Sequence, residues 1–91
     1  MADEVRHNEA ESRYELERDS ETAFAAYRRE GELVVFDHTV VPEALEGKGV
    51  GSALVKGALA DVRRQGLKVQ PDCSFVRHYI ERHEDVQDLL A

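Results

Sequence analysis

Gly47-Lys48-Gly49-Val50-Gly51-Ser52-Ala53-Leu54-Val55 sets three glycines at alternate positions and runs straight into an apolar pattern of helical period. Glycines let backbone N–H groups approach a bound anion with no Cβ in the way. The first turn of a helix adds unpaired donors and the positive end of its dipole. The stretch therefore predicts an anion site at a helix start, with a diphosphate as its natural guest. Upstream, Leu33-Val34-Val35-Phe36-Asp37-His38-Thr39-Val40-Val41 is a β-branched run long enough for a buried strand, so the glycines fall at a strand-to-helix junction. Two nucleotide-binding patterns fail on spacing. The Walker loop needs Gly, four residues and then Gly-Lys-Ser/Thr, whereas Lys48 is followed by Gly49. The dinucleotide fingerprint needs its third glycine one place later and an acidic residue about 20 positions on, where Gln70 stands instead.

Downstream of the glycines, Val50, Leu54, Ala58 and Val62 form one stripe with Val55 and Leu59 beside it, while Ser52, Lys56, Ala60 and Arg63 lie opposite. This predicts an amphipathic helix from Lys48 to Gln65 with Arg63 and Arg64 at its cation-favouring end and Gly66 as its cap. Leu67-Lys68-Val69-Gln70 reads as a further strand, parallel to the Leu33–Val41 one, and Pro71 ends it. A second helix is expected from Phe75 to about His83, with Phe75, Tyr79 and Ile80 as candidates to face inward and Ser74 or Asp72 as N-cap; Val86, Leu89 and Leu90 then dock on the core.

Upstream, Arg13-Tyr14-Glu15-Leu16-Glu17-Arg18 alternates as a strand does, and Asp19-Ser20-Glu21 turns it into Thr22 to Arg29. The alanines of that second run allow a helix, but its length and flanking turns favour the return strand of a hairpin. Glu30-Gly31-Glu32 is the next turn. Asp37 and His38 interrupt the apolar strand that follows, and polar groups in a buried strand must be hydrogen-bonded or placed for a task. Residues 1 to 12 lack any apolar period and are expected to be a flexible segment ahead of a single domain over 13 to 91. The resulting order is β-β-β-α-β-α, an α+β layer of helices on a mostly antiparallel sheet with one β-α-β crossover.

Ninety-one residues suit one modest core. With 42% hydrophobic and 34% charged residues the composition is globular. No apolar run approaches the ~18 residues of a membrane helix, and Met1-Ala2-Asp3-Glu4 lacks the basic-then-apolar order of a secretory signal, so a cytoplasmic protein without a membrane partner is expected. The single Cys73 excludes an intrachain disulfide, and its spacing of five to His78 and again to His83 does not fit a structural zinc site, so no metal is expected. The net charge of −7 argues against nucleic acid. It is uneven: residues 1 to 32 hold ten acids and five bases, 33 to 72 hold five of each, and 73 to 91 hold four and two. The anion site falls in the neutral middle.

Val41-Pro42-Glu43 followed by Glu46-Gly47-Lys48-Gly49-Val50-Gly51 resembles motif A of the GCN5-related N-acetyltransferases, Q/R-x-x-G-x-G/A. Gly66-Leu67-Lys68-Val69, Pro71-Asp72-Cys73-Ser74-Phe75 and Tyr79-Ile80-Glu81-Arg82-His83 look like the small, single-motif branch of that superfamily, so the resemblance spans Phe36 to Leu90. It implies a reduced acyl-coenzyme A N-acyltransferase fold. It further implies that acetyl-coenzyme A is held at Val40, Val41, Gly47, Lys48, Gly49, Val50, Gly51 and Ser52, and that its acetyl group passes to an amine of a small molecule or a protein. The expected assembly is a monomer or weak homodimer. The chain departs from the pattern at Glu46, which replaces Gln or Arg, at Ala44-Leu45, which lengthens the approach by one residue, and at His83-Glu84-Asp85-Val86, which replaces His-Pro-Glu-Tyr. A carboxylate repels a diphosphate, so Glu46 is expected either to face solvent or to weaken cofactor binding.

Aminolysis of a thioester needs a neutral amine, a polarised carbonyl and a proton for the departing thiolate. Tyr79 falls where the resemblance puts a tyrosine near the cofactor sulfur, and its phenol is expected to supply that proton; a core aromatic is the alternative. Cys73, just before a helix, is a candidate acyl acceptor or a small buried hydrophobe. His38 is a candidate base, a task a water chain performs as well. The rival function is a degenerate acetyltransferase-fold module that binds coenzyme A without turnover.

Overall fold

A computed structural model describes residues 4–91; residues 1–3 of the expected flexible segment lie outside the described residues. Five strands form one sheet in the order β1 (Val5–Asn8), β2 (Arg13–Arg18), β3 (Glu21–Glu30), β4 (Leu33–Val40) and β5 (Lys68–Pro71). The first four pair antiparallel and the fifth lies parallel to β4. The crossover between them is helix α1 (Val50–Arg64), and α2 (Ser74–Glu81) follows β5. The expected α+β order is present, preceded by one further strand.

Local chemistry explains most boundaries. Asp19 and Ser20 both take positive φ in the two-residue turn that joins the paired Arg18 and Glu21, as short hairpins require. Gly66, at φ 73°, ends α1 in a Schellman arrangement: its N–H donates to the Arg63 carbonyl at 3.0 Å and that of Leu67 to Val62 at 3.1 Å. The predicted stripe of α1 is buried, and Ala23 and Ala25 of β3 face it, their small side chains leaving room for the helix. Tyr14, Tyr27 and Phe36 meet beneath with ring centroids 5.6 to 6.2 Å apart. Arg63 donates to both Asp88 carboxylate oxygens and to the Asp85 carbonyl, tying the 3-10 segment Glu84–Leu89 to α1.

Four expectations need correction. The opening segment does not fray within the described residues: Val5–Asn8 pairs with Arg13–Leu16, and a 3-10 turn over Glu9–Glu11 links them. Its inward residues are Val5 and His7, and the polar imidazole hides the alternation. His7 stacks on Tyr14 at 4.3 Å, lies 2.5 Å from the Tyr27 hydroxyl through Nε2, and reaches the buried Asp61 through Nδ1 at 3.4 Å. Second, Asp37 and His38 are exposed; they lie just beyond Phe36, where pairing with β5 ends. Third, Phe75 is 40% exposed, and the inward residues of α2 are Val76, Tyr79 and Ile80. The N-cap of α2 is Cys73, without a side-chain cap bond, rather than Ser74 or Asp72. Fourth, Leu90 is 41% exposed while Val86 and Leu89 are buried; Leu90 forms a bridge with Val69, and Ala91 N–H donates to the Val69 carbonyl at 3.0 Å, covering part of the β5 edge.

Candidate active site

The loop between β4 and α1 is built from the inside. Pro42 leads into a 3-10 turn over Glu43–Leu45 that carries Leu45 fully into the core. The additional residue of the approach thus makes an anchor. Glu46 then emerges exposed, as expected, although it contributes to the cavity wall. Gly47 and Gly49 adopt φ of 79° and 75°, the left-handed region, and empty space lies where their Cβ atoms would stand. Gly49 is the N-cap of α1 and offers no side chain to the helix end, and the first turn holds no acid. The first intrahelical bond runs from Ala53 N–H to the Gly49 carbonyl at 3.1 Å, leaving the N–H groups of Val50, Gly51 and Ser52 without an intrahelical acceptor. They border a cavity of about 200 Å3 whose other walls include Val41, Leu45 and Phe75. Open space, free donors and an uncapped helix end fit a diphosphate.

Gly51 has a different reason to be glycine. A Cβ there would stand 2.5 Å from Phe75 Cζ, so the ring of α2 lies directly on the first turn of α1. Phe75 and Ser52 also line a second cavity of about 210 Å3, with His78, Tyr79, Arg82 and His83.

Beyond the pair Phe36 and Pro71 the parallel strands part. Cys73 N–H still donates to the Phe36 carbonyl at 2.9 Å, and the Cys73 thiol lies 3.5 Å from the Thr39 hydroxyl across the opening. Partial burial raises the thiol's pKa, but hydrogen bonds from the Thr39 hydroxyl and from the N–H groups of Val76 and Phe75 outweigh it, and the net shift is downward. Tyr79 shifts upward, first through burial and then through the charge of Asp85. Its ring stacks on His83 at 3.9 Å, and His83 Nδ1 donates to the Tyr79 carbonyl at 2.7 Å.

The sequence candidates are therefore distributed. The glycine loop and Ser52 form one wall; Cys73 stands with Thr39 at the parted strands; Tyr79 lies across Phe75 in the second cavity. His38 is elsewhere. The β3 to β4 register shifts between Ala26 and Tyr27, so that Tyr27 pairs with Phe36 while Ala26 pairs with His38, skipping Asp37. That bulge turns His38 to the sheet face opposite α1, edge-on to Phe24 at 5.9 Å, and leaves Asp37 to pair with Arg28 at 2.9 Å. Val40 is exposed at the end of β4. Sequence reasoning missed Phe75 as the ring between the two cavities and Arg82 and His78 as walls of the second. Their helical spacing from Phe75, His78 three places on and Arg82 seven places on at the helix C-cap, was the available signal.

No helix of the described residues is long and apolar enough to cross a membrane. The model of the GCN5-related N-acetyltransferase family matches residues 13–89. The solution structure of a GCN5-like protein from Staphylococcus aureus superposes with a TM-score of 0.74 at 30% sequence identity, covering 97% of this chain and 87% of that one. Protein NATD1 of Gallus gallus and of Mus musculus is 33% identical over 51 residues, 56% of this chain. The match spans 46% of the length of those relatives. With fold, glycine loop and family match in agreement, the chain belongs to the GCN5-related N-acetyltransferases.

Proposed function

We propose that this protein holds acetyl-coenzyme A with its diphosphate on the amides from Gly47 to Ser52 and passes the acetyl group to an amine. The observation that carries this reading is the uncapped first turn of α1, with three free N–H groups and two left-handed glycines facing an open cavity. The cofactor supplies an acyl group already activated as a thioester. The chain supplies position: amides and helix dipole fix the diphosphate, and the parted ends of β4 and β5 leave unpaired backbone for the pantetheine arm. Thr39 and Cys73 stand at that opening and become the groups nearest the thioester, where the Thr39 hydroxyl and the thiol hold exchangeable protons.

A module that binds coenzyme A without turnover is the second reading, favoured by Glu46, a carboxylate in the wall of the diphosphate cavity. Gly49→Val tests the first. The added side chain enters the phosphate's approach, so folded Gly49→Val should lose the acetyl-coenzyme A shifts seen for wild-type amides in an NMR titration; unchanged shifts would refute the loop assignment. Thiol release from acetyl-coenzyme A in the presence of an amine panel then separates enzyme from module. Glu46→Gln should tighten binding by removing a like charge.

A further inference from the structure

The second cavity is built on one stripe of α2 and the residues that follow it. Phe75, His78, Tyr79 and Arg82 recur at helical spacing, and Ser52 of α1 faces them. Among the described residues that line it, three of six, His78, Arg82 and His83, are basic types and none is a carboxylate, in a chain with 19 acids and 12 Lys and Arg. The Arg82 guanidinium is exposed and makes no hydrogen bond or ion pair with the described residues. His83 spends Nδ1 on the Tyr79 carbonyl, and its stacking on Tyr79 fixes both rings, leaving Nε2 without a bond among the described residues. A guanidinium, two imidazoles, a phenol and a hydroxyl around about 210 Å3 make a receptor for a compact oxyanion.

Position narrows the identity of that anion. Ser52 and Phe75 line both cavities, so a molecule whose diphosphate rests on the glycine loop reaches the second cavity without leaving the protein. Coenzyme A carries one phosphate outside its diphosphate, on the 3′ oxygen of the ribose to which the diphosphate is attached, and its pantetheine arm carries none. We propose that this cavity is the subsite for the 3′-phosphate of coenzyme A, held chiefly by Arg82 with His78 and His83, so that the protein selects coenzyme A over its 3′-dephospho form. The inference rests on the coenzyme A reading above. It assigns the nucleotide end of the ligand to α2 and leaves the parted strands at Thr39 and Cys73 for the thioester end, which places Tyr79 at the nucleotide end.

Calorimetric titration of wild type and Arg82→Ala with coenzyme A and with dephospho-coenzyme A tests it. Wild type should prefer coenzyme A by about tenfold or more, the scale of one charge-assisted contact. Arg82→Ala should abolish that preference by weakening coenzyme A alone, with dephospho-coenzyme A unchanged within about twofold and Arg82→Lys intermediate. Equal wild-type affinity for the two ligands overturns the subsite, and so does an equal loss of both in Arg82→Ala. If Arg82→Ala leaves both affinities alone and raises KM for an anionic amine, the cavity belongs to the acceptor and the proposal fails. If neither ligand moves the amide resonances of Gly49 and Gly51 in wild type, the coenzyme A reading itself falls. Dephospho-coenzyme A that still binds the loop distinguishes loss of the subsite from loss of that reading.

Discussion

Cys73 and Tyr79 shift in opposite directions, and those directions separate the roles they can play. The thiol moves down because Thr39 and two backbone amides at the start of α2 favour its anion over the cost of burial. Alkylation by iodoacetamide should therefore reach half its limiting rate at a lower pH than a free cysteine does, and Thr39→Val should move that midpoint back up. If the thiol accepts the acetyl group, incubation with acetyl-coenzyme A and no amine should give an adduct in intact-mass spectra that Cys73→Ala cannot form. Tyr79 stays a phenol, held so by burial and Asp85. As proton donor to the thiolate its change to phenylalanine would lower kcat roughly 10²-fold with little effect on affinity; as a wall of the phosphate subsite it would raise KM for acetyl-coenzyme A and spare kcat. The glycines teach a related lesson about legibility. Their spacing announced an anion loop, yet only Gly47 and Gly49 need left-handed backbone, while Gly51 needs room for Phe75, a side chain that sequence spacing alone cannot place.

Helix α1 and strand β1 show the same limit one level up. The apolar stripe of α1 was readable because six of its residues repeat with helical period, but Gly57 in its middle carries no periodic signal. A Cβ at Gly57 would stand 2.4 Å from Val5 Cγ2 and 2.7 Å from Val5 Cβ, so β1 lies directly across the helix there. Glycine to alanine inside a helix ordinarily gains up to about 1 kcal/mol. Gly57→Ala should instead destabilise the fold by roughly 1 to 3 kcal/mol through overpacking, and Val5→Ala in the same chain should recover part of the loss. Chemical denaturation of the three variants measures this, and a stabilised single variant would contradict the packing. The other side of β1 is held by charge. Glu15 accepts from Arg13 at 2.6 Å, from Asn8 at 3.0 Å and from Arg6 at 3.4 Å, and these bonds, Arg13 foremost, keep its carboxyl below the usual range against the cost of burial. A depressed folded-state pKa stabilises above the unfolded value and is lost as pH falls through the folded one. Acidification below the ordinary carboxylate range should thus loosen β1, seen as faster amide exchange at Val5–Asn8, and Glu15→Gln should flatten that response.

At the scale of the whole molecule the meander, the crossover and both helices were legible, because each depends on a local period or a turn residue. What stayed hidden depends on partners far along the chain. Asp61, buried late in α1, accepts from the Tyr14 hydroxyl at 2.7 Å and from Gln65 at 2.5 Å, pairs with Arg64, and meets His7 of β1. It thus joins two strands to the helix, Tyr14 lying 47 residues away in sequence and His7 farther still, with the Tyr14 phenol driven far up in pKa by burial and that bond. A net charge of −7 likewise says nothing of a cavity wall that is basic. The family match begins at residue 13, and β1 precedes it, which sets a direct test of whether β1 belongs to the folding unit. A chain beginning at residue 13 would lose the His7 bonds to Tyr27 and Asp61, strip Arg6 and Asn8 from Glu15, and expose Tyr14. At about 1 kcal/mol per bond and about 25 cal/mol per Å2 of apolar surface, the loss should total roughly 2 to 4 kcal/mol, or on the order of 10 °C or more in Tm for a domain of this size. The glycine loop touches none of these residues, so at a temperature where the shortened chain remains folded its affinity for coenzyme A should match that of the full chain. An unchanged Tm would make β1 an appendage, whereas lost affinity in a chain shown to be folded would mean that β1 supports the loop through α1.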